Sequence, residues 1–129
     1  MKRIRNLKPF HVDTRGEMTY LIEDMKVPIQ SILLITCKKG SIRANHIHTN
    51  DSHYSYMIKG SMEYSYREGV SSKNPIKRIK ILEGELVYTP PLEAHAMKFL
   101  EYSIFLAFTT EKRIKNKYEA DLQRIDLVK

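Results

Sequence analysis

Five glycines, Gly16, Gly40, Gly60, Gly69 and Gly84, fall where the hydrophobic pattern of the chain breaks. Between them run short stretches rich in β-branched and aromatic residues, and glycine supplies the backbone freedom that tight turns require. This punctuation predicts strands at Thr19 to Ile22, Ile32 to Cys37, Ile42 to His48, Tyr54 to Ile58, Met62 to Arg67, Ile76 to Leu82, Glu85 to Thr89, Ala96 to Phe99 and Ser103 to Thr109. Met62-Glu63-Tyr64-Ser65-Tyr66-Arg67 alternates large and polar side chains, the period-two pattern of a half-buried strand. Residues Glu111 to Ala120 read as one short C-terminal helix, and Leu122 to Val128 as a returning strand. Many short strands in 129 residues indicate an all-β sandwich or barrel in one domain, residues 1-129.

Composition narrows the functional classes. Apolar residues make up 42% and charged residues 29%, enough hydrophobic material for one core. The longest apolar runs, Ile32 to Cys37 and Ile104 to Phe108, are far shorter than the roughly 20 residues of a spanning helix. Pro9, His11, Asp13 and Arg15 follow the basic N-terminal segment where a signal peptide needs its apolar region, so no membrane partner and a cytoplasmic location are expected. The single cysteine, Cys37, has no intrachain partner and lies in an apolar run, reading as a buried thiol in a reducing compartment. A net charge of +7 favours anionic partners. No helix-turn-helix, zinc-finger or RNA-sheet signature accompanies that charge, so nucleic acid is not an expected partner.

Histidine carries the chemical signal. Of five in the chain, His46, His48 and His53 fall within eight positions. On a strand His46 and His48 share a face and can present both imidazoles to one cavity. Gly40 precedes His46 by six positions, and Gly60 follows His53 by seven. A second block places Pro90 six positions after Gly84, and His95 five after Pro90.

These two blocks resemble the paired motifs of the cupin superfamily, which implies a cupin (RmlC-like) β-barrel or jelly roll with a metal or catalytic site inside. Two positions depart from the general pattern: His53 stands where metal-binding cupins carry Glu, and Leu92 where the second motif carries Gly. Asp13-Thr14-Arg15-Gly16 and Arg43-Ala44-Asn45-His46-Ile47-His48 are similar to cupins acting on nucleotide-linked deoxysugars: the dTDP-sugar 3,4-ketoisomerases, the 3,5-epimerases and capsule-sugar cupin domains. The resemblance implies an isomerase or epimerase of a nucleotide-linked 4-keto-6-deoxy sugar.

The adjacent carbonyl acidifies the hydrogen at C3 of such a sugar, and imidazole is a suitable base. His46 and His48 are therefore the candidate catalytic residues. Arg15 and Arg43 are candidates for the diphosphate, because guanidinium binds phosphate oxygens in a bidentate manner. His46, His48, His53 and His95 form a candidate set for zinc, iron or nickel. A metal-free proton shuttle needs no cofactor, whereas a bound metal occupies its histidine ligands and requires another base, for which Tyr56, Tyr64 and Glu63 are candidates by proximity in sequence. A metal-dependent oxygenase and a non-enzymatic sugar- or metal-binding module are the competing readings. Exposed strand edges and apolar runs at both ends of the chain predict a homodimer.

Overall fold

The computed structural model describes residues 1–23, 27–69, 71–111, 122–125 and 127–128. Among the described residues there are twelve strands: β1 (Lys2–Ile4), β2 (His11–Asp13), β3 (Gly16–Met18), β4 (Ser31–Cys37), β5 (Ile42–His48), β6 (His53–Lys59), β7 (Met62–Arg67), β8 (Lys77–Ile81), β9 (Leu86–Thr89), β10 (Ala94–Phe99), β11 (Ser103–Thr109) and β12 (Leu122–Arg124). Ten of them form two antiparallel five-stranded sheets, β1-β9-β6-β11-β4 and β12-β5-β10-β7-β8, while β2 and β3 make a separate hairpin. Sheets of antiparallel strands carrying one buried face pack as a sandwich, and this is the all-β cupin jelly roll that the histidine blocks imply.

Alternation decides which residues face inward. On β4 and β11 the odd-numbered residues Leu33, Ile35, Cys37, Phe105 and Ala107 pack against the core, and on β6 His53, Ser55 and Met57 are buried while Tyr54 and Tyr56 are not. The second sheet contributes Met62, Tyr64, Met97 and Phe99 to the same core. Its opposite face is covered by the end of the chain: buried Leu127 packs with Ala94 and Ala96, flanked by Ile47 and Ile125.

Turn chemistry agrees with the glycine pattern. Gly60, at φ +91°, joins β6 to β7, and a Cβ there would collide with Ser103 Oγ and the Tyr102 carbonyl oxygen. Only glycine fits this position on both conformational and steric grounds. The strands at 42–48, 62–67 and 103–109 coincide with the sequence expectation. The segment Thr19 to Ile22 is not a strand, since β3 ends at Met18. The N-terminal strand β1 and the β2–β3 hairpin were not foreseen, because three-residue strands contain too few alternations to register as a period. Of the expected returning strand at Leu122 to Val128, only Leu122–Arg124 is a strand, β12, with Ile125, Leu127 and Val128 irregular, and the expected helix at 111–120 lies, apart from Glu111, outside the described residues. No helix among the described residues is long and apolar enough to cross a membrane.

Candidate active site

The four motif histidines converge at one end of the sandwich. His46 and His48 lie on β5, His53 opens β6, and His95 is the second residue of β10. Antiparallel pairing sets His95 directly opposite His46, which brings their ring centres to 4.8 Å. The His46 and His48 rings are 4.4 Å apart, and the His53 ring lies 5.1 Å from His95 and 6.0 Å from His48. All four are buried. The crossover of residues 49–52 carries the chain from one sheet to the other, so His48 and His53 approach each other across the interior.

A bulge shapes the approach to His46. Opposite β10, His95 pairs with His46 and Ala96 with Ala44, which leaves Asn45 as the extra residue. Ala44 and Asn45 both adopt left-handed conformations, at φ +68° and +57°. Such a pair costs on the order of 1–3 kcal/mol per residue and persists only when neighbouring structure enforces it. The enforcement comes from the end of the chain. Asn45 Oδ1 accepts hydrogen bonds from the Leu127 and Val128 amides at 3.0 and 2.9 Å, and Asn45 Nδ2 donates to the Val128 carbonyl at 2.6 Å.

Between the sheets lies a cavity of about 400 Å³, lined by His46, His53 and His95 together with Arg43, Ser55 and the apolar core. His48 is not on its wall. A larger cavity of about 540 Å³ at the outer face of Tyr54 and Tyr88 contains none of the histidines. His95 Nδ1 lies 3.1 Å from the Glu93 carbonyl oxygen. A carbonyl only accepts, so Nδ1 carries the proton, and in the neutral form of the ring the lone pair lies on Nε2. The Tyr64 ring stacks on His95 at 6.0 Å and 12°, fixing the plane of the imidazole.

The arginines are placed differently. The Arg43 guanidinium donates from Nε to Cys37 Sγ at 3.1 Å and from Nη2 to the Thr36 carbonyl at 2.9 Å, which holds it at the cavity wall. Burial pushes the Cys37 thiol up, with Arg43 pulling the other way, so the thiol stays protonated as expected of a packed cysteine. Arg15 sits at the turn of the β2–β3 hairpin and pairs with Asp13 at 2.7 Å. It lines a separate surface recess with His11 and Glu17 and does not reach the histidine cavity.

Of the alternative bases, Tyr64 is unsuited. Its hydroxyl is buried against Thr89 Oγ1 at 2.5 Å, and burial drives its pKa far up. Glu63 and Tyr56 occupy the alternate register from the inward-facing Tyr64 and Ser55.

Two residues were not singled out in the sequence. Asp51, in the crossover between β5 and β6, is buried to 2% exposure, and its carboxylate shares a cluster with His48 and His53 whose donor atoms all lie within 4.8 Å of one another. Its Oδ1 accepts from the Thr110 amide and hydroxyl at 3.2 and 3.3 Å and from the Glu111 amide at 3.1 Å. The donor set of two imidazoles and a carboxylate fits a first-row divalent ion. His46 and His95 fall outside that cluster. Ser55 lines the cavity with a buried hydroxyl that has no hydrogen-bond partner among the described residues. Its signal was available: two positions after His53 on a strand, it must share that residue's face.

No family model and no curated protein matches the chain by sequence. Solved structures do match by fold. A 3,4-ketoisomerase from Helicobacter canadensis superposes with a TM-score of 0.75 at 20% identity, covering 95% of this chain and 89% of that one. QdtA, a sugar 3,4-ketoisomerase from Thermoanaerobacterium thermosaccharolyticum in complex with TDP, gives 0.72 at 22% identity, with coverage of 97% and 88%. The dTDP-4-dehydrorhamnose 3,5-epimerase from Sulfolobus tokodaii gives 0.67 at 19% identity, covering 83% and 69%. The chain has the cupin fold of these enzymes.

Proposed function

We propose that this protein isomerises or epimerises a nucleotide-linked 4-keto-6-deoxy sugar by proton transfer next to the carbonyl. The observation that carries the reading is the pair His46 and His95, facing one largely apolar cavity from neighbouring paired strands of one sheet with ring centres 4.8 Å apart. The names of the structural neighbours and the two motif blocks favour the same substrate class.

His46 removes the C3 proton, and the electron pair of that bond moves toward the C4 carbonyl, whose oxygen takes a proton to give an enediol. Protonation at C4, with loss of the proton from the C3 hydroxyl, moves the carbonyl to C3. Protonation back at C3 from the opposite face inverts that centre instead. His95, basic at Nε2, is the second proton carrier, and His48 behind His46 supports its ring. Ser55 offers a hydroxyl to a sugar oxygen. Arg43 binds the diphosphate at the cavity wall, whereas Arg15 stays paired with Asp13 on the hairpin, away from that cavity. A divalent ion, when bound, would polarise the C4 carbonyl.

The chain acts as a cytoplasmic homodimer in this reading. Its free buried cysteine suits a reducing compartment. The strand at one margin of the first sheet, β4, turns apolar side chains outward, which a second copy would cover.

Incubation with dTDP-4-keto-6-deoxyglucose in heavy water tests the reaction. The wild-type protein incorporates solvent deuterium at C3 or C4 of the sugar, and His46→Asn lowers the rate by about 100-fold or more. Binding of the sugar nucleotide without exchange assigns the protein to a binding module, and consumption of oxygen assigns it to an oxygenase.

A further inference from the structure

We propose that His48, Asp51 and His53 form a divalent transition-metal site of two imidazoles and one carboxylate, leaving His46 and His95 outside the coordination shell. The assignment rests on the proposed reaction only in placing a metal beside its cavity, whose wall His53 shares, and its test is read without substrate.

Three observations converge on it. First, the sequence places all three residues on one stretch: His48 closes β5, His53 opens β6, and Asp51 lies on the crossover between them. The donor atoms lie within 4.8 Å of one another, and no other group of three among the described residues does this. Ring-centre distances alone group His46 with His48 more closely, but ring centres do not report where the nitrogens point.

Second, the charge is right. Four imidazoles leave a divalent ion with its full charge inside a buried cavity, a costly arrangement in a low-dielectric interior. One carboxylate removes half of it. Asp51 supplies that carboxylate from two positions before His53 in the chain.

Third, the carboxylate is held in place before any ion arrives. Three donors, the Thr110 amide, the Thr110 hydroxyl and the Glu111 amide, fix Asp51 Oδ1, so the group loses little freedom on binding. Two nitrogens and one oxygen favour zinc, iron, cobalt or nickel over magnesium or calcium, and three protein ligands leave coordination positions open to a substrate oxygen.

The division of labour removes the conflict between metal binding and proton shuttling. A histidine that coordinates a metal cannot serve as a base, but here the two roles fall on different pairs.

The experiment uses full-length protein without a histidine tag, stripped by a chelator and titrated with Co²⁺ and Zn²⁺ under calorimetry and visible absorption. Wild-type protein binds one equivalent of each, with cobalt ligand-field bands. Asp51→Asn keeps the shape of the side chain and weakens binding by about ten-fold or more, and His53→Gln does the same, so either variant carries the test if the other fails to fold. His95→Asn leaves the affinity within about three-fold of wild type, as a residue outside the shell must. Absence of binding by the wild type overturns the site, and so does a His95→Asn loss as large as that of Asp51→Asn, which would mark a four-histidine centre. Failure of deuterium exchange in stripped and metal-loaded protein alike overturns the isomerase reading and leaves the metal site standing.

Discussion

At the scale of single residues, the histidines were legible because imidazole is rare and its spacing on strands is rigid. Asp51 was not, because Asn50-Asp51-Ser52 reads as an ordinary polar turn until the fold closes His48 and His53 around it. Arg15 shows the opposite case, a residue whose type fits phosphate but whose surroundings already employ it. Its side chain and amide both donate to Asp13, with His11 adding a third contact, and together they lower the Asp13 carboxyl from 3.8 to about 2. The sign follows directly: a carboxyl held low when folded contributes stability above its ordinary pKa, and that contribution disappears as the pH falls from 3.8 toward about 2. An NMR titration of the Asp13 carboxyl is therefore expected to give a midpoint near 2, and Arg15→Ala returns it most of the way to 3.8. A midpoint that ignores the substitution removes Arg15 as the dominant partner.

At the scale of elements, the strands at 42–48, 62–67 and 103–109 were readable to the residue, because three or more alternations establish a period. Strand β10 began two residues earlier than expected, and those two include His95 and so matter most. The proline before it and the Glu93 backbone hid the start of the pattern. The β5 bulge was invisible for a different reason: Ala44 carries no sign of a left-handed conformation, and Asn45 tolerates one without requiring it. What stabilises the bulge is a contact with residues more than 80 positions away in the chain. Asn45→Ala removes three hydrogen bonds and leaves two amides and a carbonyl to be rehydrated, so it is expected to cost about 3 kcal/mol. Asn45→Gly keeps the backbone conformation and costs about 1 kcal/mol less. Denaturant midpoints measure both, and faster amide exchange at Leu127 and Val128 locates the damage. Equal losses in the two variants would mean that backbone strain plays no part.

At the scale of the whole molecule, the sandwich was readable from the number and length of the strands, but which outer face stays bare was not. The outer face of the second sheet is covered by Leu127 and its neighbours, whereas on the first sheet Ile32 and Leu34 remain 65% and 67% exposed along β4. A bare pair of large apolar residues on a marginal strand is a site for association, and strand edges pair readily with a copy of themselves. Sedimentation of the wild-type protein is expected to give about twice the chain mass of 15.2 kDa. Ile32→Glu with Leu34→Glu places two charges on a surface that tolerates them in the monomer, because neither side chain contributes to the core. That double variant is expected to sediment as a single folded chain, with its circular dichroism unchanged. A wild-type mass of one chain would show that these side chains face water in solution, and the dimer would then have no place in the proposed function.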